Sequence, residues 1–367
     1  MAKKSKREFI TYKDIEQVKK LYKPNYIILY GGRNDGKSFS VKEKVLRDFV
    51  KTGAEFTYLR RYAADITEVD NLDYWGDFLT GSHNKVEEIT GGAYNTLEYE
   101  KGKYYISNIN DEGKITRGKL IGHVHALSKE ARYKSLQFPK VGTIIYEEFC
   151  TSGAYLYNEV TRFSNYVSTV ARDNTPDVIL IGNTISRQNA FFREWQLTGV
   201  AKQEPGTVDI YKFDHDGADI TVATYYTKAE KENKLFFGQA AKMITGGTWE
   251  SQEQPHLIKP ESEYNEIYRM TFETDSLNRF LMRFMVLDDA GLWYVTKRTS
   301  NFKENERVIS PHLIQSPLYT ATFTPINKAE KALFPFLTMG RIAYGDNLTG
   351  TEFKRALKQL AIINHSE

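Results

Sequence analysis

Residues 26–38, YIILYGGRNDGKS, decide the fold of this chain, because an apolar run leads directly into the pattern Gly-x-x-x-x-Gly-Lys-Ser. Apolar residues then recur at helical spacing from Phe39 to Val50. A strand, a glycine-rich loop and a helix in this order predict a P-loop, since backbone N–H groups and the helix N-terminus favour phosphate. The residues predicted to bind nucleotide here are Gly31, Gly32, Arg33, Asn34, Asp35, Gly36, Lys37, Ser38 and Phe39.

A P-loop also needs a partner for its metal ion and a group that acts on water. Lys37 is expected to contact the β and γ phosphates, and Ser38 to bind Mg²⁺. The apolar segment VGTIIYEEF (141–149) predicts a strand that ends in two carboxylates. Glu147 is predicted to hold Mg²⁺, and Glu148 to orient or deprotonate a water molecule. The first carboxylate of such a pair is usually Asp, and Glu is one methylene longer, so the division of roles between the two stays open.

Two further apolar segments narrow the class of P-loop protein. PDVILIGN (176–183) predicts a strand ending in Asn183, a polar group able to sense the γ-phosphate or to position water. GAEFTYLRRY (53–62) predicts an extra strand between the P-loop and the carboxylates, with Arg60 and Arg61 at its end. This arrangement favours an additional-strand, catalytic-glutamate ATPase over a small-molecule kinase. No NKxD motif, which guanine-nucleotide switches need, occurs in the sequence.

The chain divides into three predicted parts. Alternating strands and helices over residues 1–224 predict an α/β domain with a mostly parallel sheet covered on both faces. Its segment 81–126, rich in Gly, Tyr, Thr and Asn, predicts inserted antiparallel hairpins, and 158–172 predicts an amphipathic helix. Residues 225–252 predict a small helical lid or linker. Residues 253–367 predict an α+β domain with a strand meander and a closing helix.

Composition narrows the classes of partner and location. The 367 residues carry a formal net charge of +3, from 50 basic and 47 acidic side chains, so any contact with nucleic acid must come from local clusters. No stretch reaches the roughly 18 apolar residues of a membrane helix. The charged N-terminus lacks the apolar run of a secretory signal. The single cysteine, Cys150, excludes a disulfide within the chain and indicates a reducing cytoplasm.

The sequence resembles the double-stranded DNA packaging ATPases of phi29-type small tailed phages, which are compact relatives of terminase large subunits. The resemblance implies that ATP hydrolysis, with Mg²⁺, moves double-stranded DNA through a homomeric ring, of five subunits, docked at the portal of a procapsid in the host cytoplasm. It leaves a structural RNA partner open. The similar segments are GGRNDGKS (31–38), YLRRY (58–62), YKSLQFPKVGTIIYEEF (133–149), STVARDN (168–174) and ILIGN (179–183), with weaker similarity in FMVLDDAGLWYV and FLTMGRIAYGDN.

The resemblance also assigns roles to basic residues. Arg172 stands where the family has an arginine finger, which reaches the γ-phosphate bound by the neighbouring subunit. Lys134 matches a basic residue that faces the same neighbour. From the residues alone, Arg172 would instead be a solvated arginine that satisfies carbonyls at a helix end. Arg60 and Arg61 remain candidates for contacts with DNA, nucleotide or a neighbouring subunit.

For the C-terminal domain the resemblance implies an RNase H-like fold without nuclease activity. An active site of that type needs several carboxylates converging on two metal ions. Asp288 and Asp289 lie in LDDAGLW, a pattern that favours a hairpin turn.

Three other functions stay open from the sequence. A P-loop phosphotransferase, acting on a nucleotide or another small molecule, would need an acceptor pocket and no DNA. A terminase large subunit would add an active C-terminal nuclease. A structural capsid component would carry only a vestigial nucleotide site.

Overall fold

The chain forms two units, each described here by itself. The first holds the described residues up to 151, from 155 to 184 and from 202 to 228, and the second holds those from 185 to 201 and from 249 onward. The computed structural model describes residues 9–67, 73–79, 84–151, 155–172, 174–186, 189–215, 218–228, 249, 251–275, 278–298, 306–310 and 318–364.

The first unit is built on one large sheet with helices between its strands. Its strands are β1 (Tyr26–Gly31), β2 (Glu55–Arg60), β3 (Thr96–Glu100), β4 (Lys103–Ile109), β5 (Ile115–Ala126), β6 (Val141–Glu147), β7 (Asp177–Asn183), β8 (Thr207–His215) and β9 (Ala218–Tyr226). Its helices are α1 (Tyr12–Tyr22), α2 (Lys37–Thr52), α3 (Gly76–Leu79), α4 (Lys85–Thr90) and α5 (Glu159–Val170), with 3-10 turns at Ala63–Asp65 and Leu127–Tyr133.

The strand order of this nine-stranded sheet is β3-β4-β5-β2-β6-β7-β1-β9-β8. All neighbours from β5 to β9 pair in parallel, whereas the outer pairs β3–β4, β4–β5 and β8–β9 are antiparallel. The central strands are apolar on both faces, and Ile28, Ile145 and Leu180 are fully buried, as a sheet covered on both sides requires. The predicted α/β class, the mostly parallel sheet and the inserted antiparallel hairpins are confirmed.

The strand that separates the P-loop strand from the carboxylate strand is β7. In register, Gly31 lies opposite Asn183, and Glu147 lies opposite Ile181. The extra strand β2 separates the two motifs along the chain but lies on the far side of β6. Parallel neighbours are joined by crossover connections that can pass over other strands, so order along the chain does not fix order in the sheet. The ends of β1, β7 and β6 therefore meet at one edge.

The second unit is an α+β arrangement around a six-stranded sheet of order β14-β13-β10-β11-β12-β15. The predicted meander is confirmed by the antiparallel pairs β10–β11 and β11–β12, while β13 adds in parallel to β10 and β15 to β12. The strands are β10 (Asn265–Asp275), β11 (Asn278–Leu287), β12 (Ala290–Lys297), β13 (Arg307–Ile309), β14 (Tyr319–Thr320) and β15 (Ile342–Tyr344). The helices are α6 (Ala190–Glu194), α7 (Lys328–Leu333), α8 (Pro335–Thr338) and α9 (Asn347–Asn364), with 3-10 turns at Thr198–Ala201 and Glu261–Glu263.

The turn predicted at Asp288 and Asp289 is confirmed as a two-residue hairpin, because Leu287 pairs with Ala290 across β11 and β12. Asp288 has a φ of 43°, a left-handed conformation that Asp tolerates in such turns.

Residues 185–201 group with the second unit, although the predicted first domain of 1–224 includes them. The grouping has a physical basis, since Arg355 donates to the Ile185 carbonyl at 2.6 Å and the Phe192 ring packs edge-on against Trp249. The helical lid or linker predicted at 225–252 lies largely outside the described residues. Among the residues that are described, no helix has both the length and the apolar character needed to cross a membrane.

Candidate active site

The predicted P-loop lies between β1 and α2, as strand, loop and helix. Gly36 precedes the helix with a φ of 86°, a left-handed conformation that glycine adopts without strain. At Gly31, a Cβ atom would overlap the Thr227 hydroxyl and lie 2.7 Å from Oδ2 of Asp35. The loop can close on itself only with glycine at these points, and α2 begins at Lys37 directly behind it.

The Lys37 ammonium is held within the loop. Its Nζ donates to the Gly32 carbonyl at 2.5 Å and pairs with Oδ1 of Asp35 at 2.7 Å. Burial lowers the pKa of Lys37, and the Asp35 carboxylate acts in the opposite direction. Asp35 is itself buried, and its Oδ2 accepts from the Thr227 hydroxyl. The Asp35 side chain therefore supports the loop by joining Lys37 to Thr227.

Ser38 and Glu147 meet where the ends of β1 and β6 converge. The Ser38 hydroxyl donates to Oε1 of Glu147. Oε2 of Glu147 is buried and has no hydrogen-bond partner among the described residues. The Tyr74 side chain lies beside this carboxylate, and its pKa is raised by burial first and by the Glu147 charge second. A serine oxygen and an unsatisfied carboxylate oxygen are hard ligands that suit Mg²⁺.

Glu148 differs from Glu147 in both exposure and backbone. Its φ of 56° is left-handed, which is uncommon for a residue other than glycine. Its side chain is 59% exposed and pairs with Arg60 at 2.7 Å. The chain turns at this residue, so the two adjacent carboxylates face different surroundings.

These groups line one cavity of about 850 Å³, a volume within the usual range for small-molecule sites. Besides the P-loop, the cavity is bordered by Glu147, Glu148 and Asn183. The structure thus places residues 33–39 of the predicted loop around one cavity with both predicted carboxylates and with Asn183. Of the other two predicted residues, Gly31 ends β1 and Gly32 accepts a hydrogen bond from Lys37 through its carbonyl.

Residues without any local motif also border this cavity. Phe9, Ile10 and Thr11 lie beside the loop, and the Ile10 carbonyl would be 3.1 Å from a Cβ at Gly36. Asp77 also lines the cavity, on a segment that Lys42 anchors by donating to the Tyr74 carbonyl at 2.7 Å. Nothing in the sequence marks these residues, because they reach the site through packing rather than through the motif.

The structure separates the two arginines at the end of β2. Arg60 pairs with Glu148, which lines the cavity. Arg61 is 5% exposed, and all its nitrogens bind Glu159 or the backbone of Glu148 and Phe149. A contact to DNA or to a neighbouring subunit therefore does not fit Arg61, since its donors are buried and already used.

Arg172 and Lys134 lie together at the opposite edge of the sheet. Both are exposed, and Nη2 of Arg172 donates to the Lys134 carbonyl at 2.8 Å. Two residues beyond Arg172, the Asn174 amide donates to the Val141 carbonyl, at the start of β6, at 2.6 Å. Glu147 ends the same strand, six residues later and about 20 Å away. Within one subunit, Arg172 therefore lies far from the P-loop edge.

Comparison with known proteins identifies relatives of the chain. The model of the family described as Podovirus DNA encapsidation protein (Gp16) matches residues 11–248. The DNA packaging protein of Bacillus phage B103 is 29% identical over 172 residues, which are 46% of this chain and 46% of that protein. The DNA packaging protein of Bacillus phage phi29 is 30% identical over 177 residues, 47% of this chain and 46% of that protein. The chain spans about half the length of these curated relatives.

Among solved structures, the chain is similar to one in the bacteriophage Phi-29 viral genome packaging motor assembly. The TM-score is 0.52 with 20% identity, and the match covers 94% of this chain and 98% of that chain. At this identity the likeness concerns the fold, a mixed α/β architecture with a large, mostly parallel sheet.

Proposed function

The chain belongs to the podovirus DNA encapsidation protein (Gp16) family, and from that premise we propose that it is an ATP-hydrolysing motor that moves double-stranded DNA into a viral procapsid. The observation that carries the proposal is the meeting of Lys37 and Ser38 with Glu147 and Glu148 in one cavity. Relatives named as DNA packaging proteins support the DNA substrate.

The residues at the loop fit ATP with Mg²⁺. Ser38 and the unsatisfied carboxylate oxygen of Glu147 would hold the metal ion, whose charge would offset that of the phosphates. Lys37 is the buried cation of the loop and would contact the β and γ phosphates. Its partners in the structure, Asp35 and the Gly32 carbonyl, keep the ammonium within the loop.

The remaining groups at this edge suit attack by water. Glu148 is exposed to the cavity, is not engaged with Ser38, and would orient or deprotonate the attacking water. Asn183 ends the strand between the P-loop and Glu147 and would position that water or sense the γ-phosphate. A carboxylate strand separated from the P-loop strand by one further strand is the arrangement of the additional-strand, catalytic-glutamate class.

The position of Arg172 supports action between subunits of a homomeric ring. It is exposed at the edge of the sheet opposite its own P-loop, so a neighbour's nucleotide is the target it would reach. Lys134, beside it, would face the same neighbour.

In this proposal the ring has five subunits and docks at the procapsid portal in the host cytoplasm. The proposal makes no choice on whether a structural RNA takes part. Lysines and arginines around the channel would grip phosphates without reading sequence.

Duplex DNA is expected to raise the ATPase rate of the assembled protein, because translocation couples hydrolysis to the polymer. The measurement is phosphate release with and without duplex DNA, with the assembly state determined in parallel. Lys37→Ala serves as the control and should weaken nucleotide binding roughly 10- to 100-fold, through loss of charge-assisted contacts. Turnover that is unaffected by duplex DNA and requires a small acceptor would instead indicate a phosphotransferase. Absence of any turnover would indicate a vestigial nucleotide site.

For the second unit we propose an RNase H-like fold without nuclease activity. A three-strand antiparallel meander extended in parallel from its first strand supports that fold. The absence of nuclease activity is supported by the pairing of its buried glutamates with basic side chains, because paired carboxylates are poor candidates for a two-metal site. The pairs are Glu273 with Arg279, Glu306 with Arg298, Glu330 with Arg307 and Glu352 with Lys297.

Supercoiled plasmid is expected to stay intact when incubated with the protein and Mg²⁺ or Mn²⁺, since Asp288 and Asp289 occupy a hairpin turn. Gel electrophoresis of the plasmid measures this, with a metal-dependent nuclease as positive control. Cleavage that disappears in Asp288→Ala would contradict the proposal and indicate a terminase-type nuclease.

A further inference from the structure

Arg61 is buried directly behind the turn that carries Glu148. Its Nε and Nη2 bind the two carboxylate oxygens of Glu159 at 2.8 and 3.0 Å. The same guanidinium donates to the Glu148 carbonyl at 3.1 Å and to the Phe149 carbonyl at 2.9 Å. One side chain therefore ties the carbonyls of two successive peptide bonds, 148–149 and 149–150, to a fixed carboxylate.

Glu159 is in turn held by other groups. Its carboxylate accepts from the Tyr146 hydroxyl at 2.7 Å and from the Leu156 amide at 2.8 Å. Tyr146, which lies on β6 two residues before Glu148, is fully buried. We call Arg61, Tyr146 and Glu159 the Arg61 cluster. The cluster is joined to the end of β6 through Tyr146 and to the turn after β6 through Arg61.

The free energy of desolvating the Arg61 cluster makes stability alone a weak explanation for it. Desolvation of a buried ion pair offsets much of its Coulomb attraction, so apolar side chains of similar volume often stabilise a fold equally well. A fully satisfied buried network instead fixes one geometry of the groups that it contacts. The backbone that it contacts is also unusual, since Glu148 has a φ of 56°. Such conformations persist where the surrounding structure holds them.

We propose that Arg61 is a positioning residue for ATP hydrolysis, which holds the left-handed turn at Glu148 so that its carboxylate projects into the nucleotide cavity. This inference rests on the proposed role of Glu148 toward water. Arg61 itself touches neither nucleotide nor water in this role. It acts only through the backbone carbonyls of Glu148 and Phe149, with Glu159 as the anchor.

Arg61→Lys tests the proposal, because lysine keeps the charge but cannot bridge a carboxylate and two carbonyls with one planar group. We expect kcat to fall roughly 10- to 100-fold, the scale of a displaced catalytic group, with nucleotide affinity and KM nearly unchanged. Tyr146→Phe removes the bond to Glu159 and leaves the Arg61 guanidinium in place, so it should produce a smaller fall in kcat.

Arg307→Lys is the matched control. Arg307 is also buried and also pairs with a buried glutamate, Glu330, but it belongs to the second unit. Its replacement should lower the melting temperature without changing kcat per folded molecule. Equal losses of kcat in Arg61→Lys and Arg307→Lys would show a general effect of destabilisation and would overturn the proposal.

A double-mutant cycle with Glu148→Gln separates positioning from other effects, using single-turnover hydrolysis of labelled ATP. If Arg61 acts through Glu148, adding Arg61→Lys to Glu148→Gln should change the residual rate by less than about twofold. Losses that multiply would overturn the inference. Tyr146→Phe replaces Arg61→Lys in the same cycle if the latter does not fold. A Glu148→Gln single variant with a normal rate would instead contradict the proposed function, independently of Arg61.

Discussion

Replacing Glu148 with glutamine is expected to slow ATP hydrolysis by roughly 10²- to 10⁴-fold, the usual contribution of a general base. Nucleotide binding should persist, because glutamine keeps the shape of the side chain and loses only its basicity. Glu147→Gln should act differently, since Glu147 contacts Ser38 and has an unsatisfied buried oxygen. That variant should need more Mg²⁺ for nucleotide binding.

The two variants are compared by nucleotide titration at several Mg²⁺ concentrations and by single-turnover hydrolysis. Normal turnover in Glu148→Gln together with no turnover in Glu147→Gln would reverse the roles proposed for the two carboxylates. The contrast is sharp because the two residues are adjacent and chemically identical, so any difference must come from their surroundings. Glu147 is held against the P-loop, whereas Glu148 lies beyond the strand end with most of its side chain exposed.

Replacing Arg172 with alanine is expected to lower assembly-dependent hydrolysis by about 10³-fold or more, the scale of other arginine fingers. ATP binding should be spared, because Arg172 lies at the edge of the sheet opposite its own P-loop. Arg162→Ala is a suitable control. It removes an arginine from the other end of α5, where Nε donates to the Tyr157 carbonyl at 3.0 Å, and it should leave the rate nearly unchanged.

Mixing distinguishes action between subunits from action within one. Arg172→Ala subunits, whose own sites are intact, are combined with Glu148→Gln subunits, which retain the arginine. Some interfaces then join an intact Glu148 to a neighbour's intact Arg172, so activity should partly return. Mixed rings that form but remain inactive would contradict action between subunits. In that case the arginine more simply supports the fold through its bond to the Lys134 carbonyl.

Much of the site could be predicted from short stretches of sequence. The loop from Gly31 to Ser38 is recognisable because its chemistry is local: backbone N–H groups, a lysine and a serine occupy consecutive positions after a strand. The strands that end at Glu147 and at Asn183 could also be predicted from short stretches of sequence, since continuous apolar runs mark buried parallel strands. The carboxyl ends of such strands share one edge, which brings these motifs together.

The sequence by itself determined the α/β class, the P-loop and the paired carboxylates, because each depends on residues within one turn, strand or helix. Only the tertiary structure decided that β7 lies between β1 and β6, and that Arg60 pairs with Glu148 while its neighbour Arg61 is buried. It also decided that Thr227 lies against Asp35 and Tyr74 beside Glu147. These facts depend on strand order and on packing between residues far apart in the chain, for which neither periodicity nor motif spacing carries a signal. Adjacent side chains at a strand end point to opposite faces, so the different surroundings of Arg60 and Arg61 follow from what covers each face.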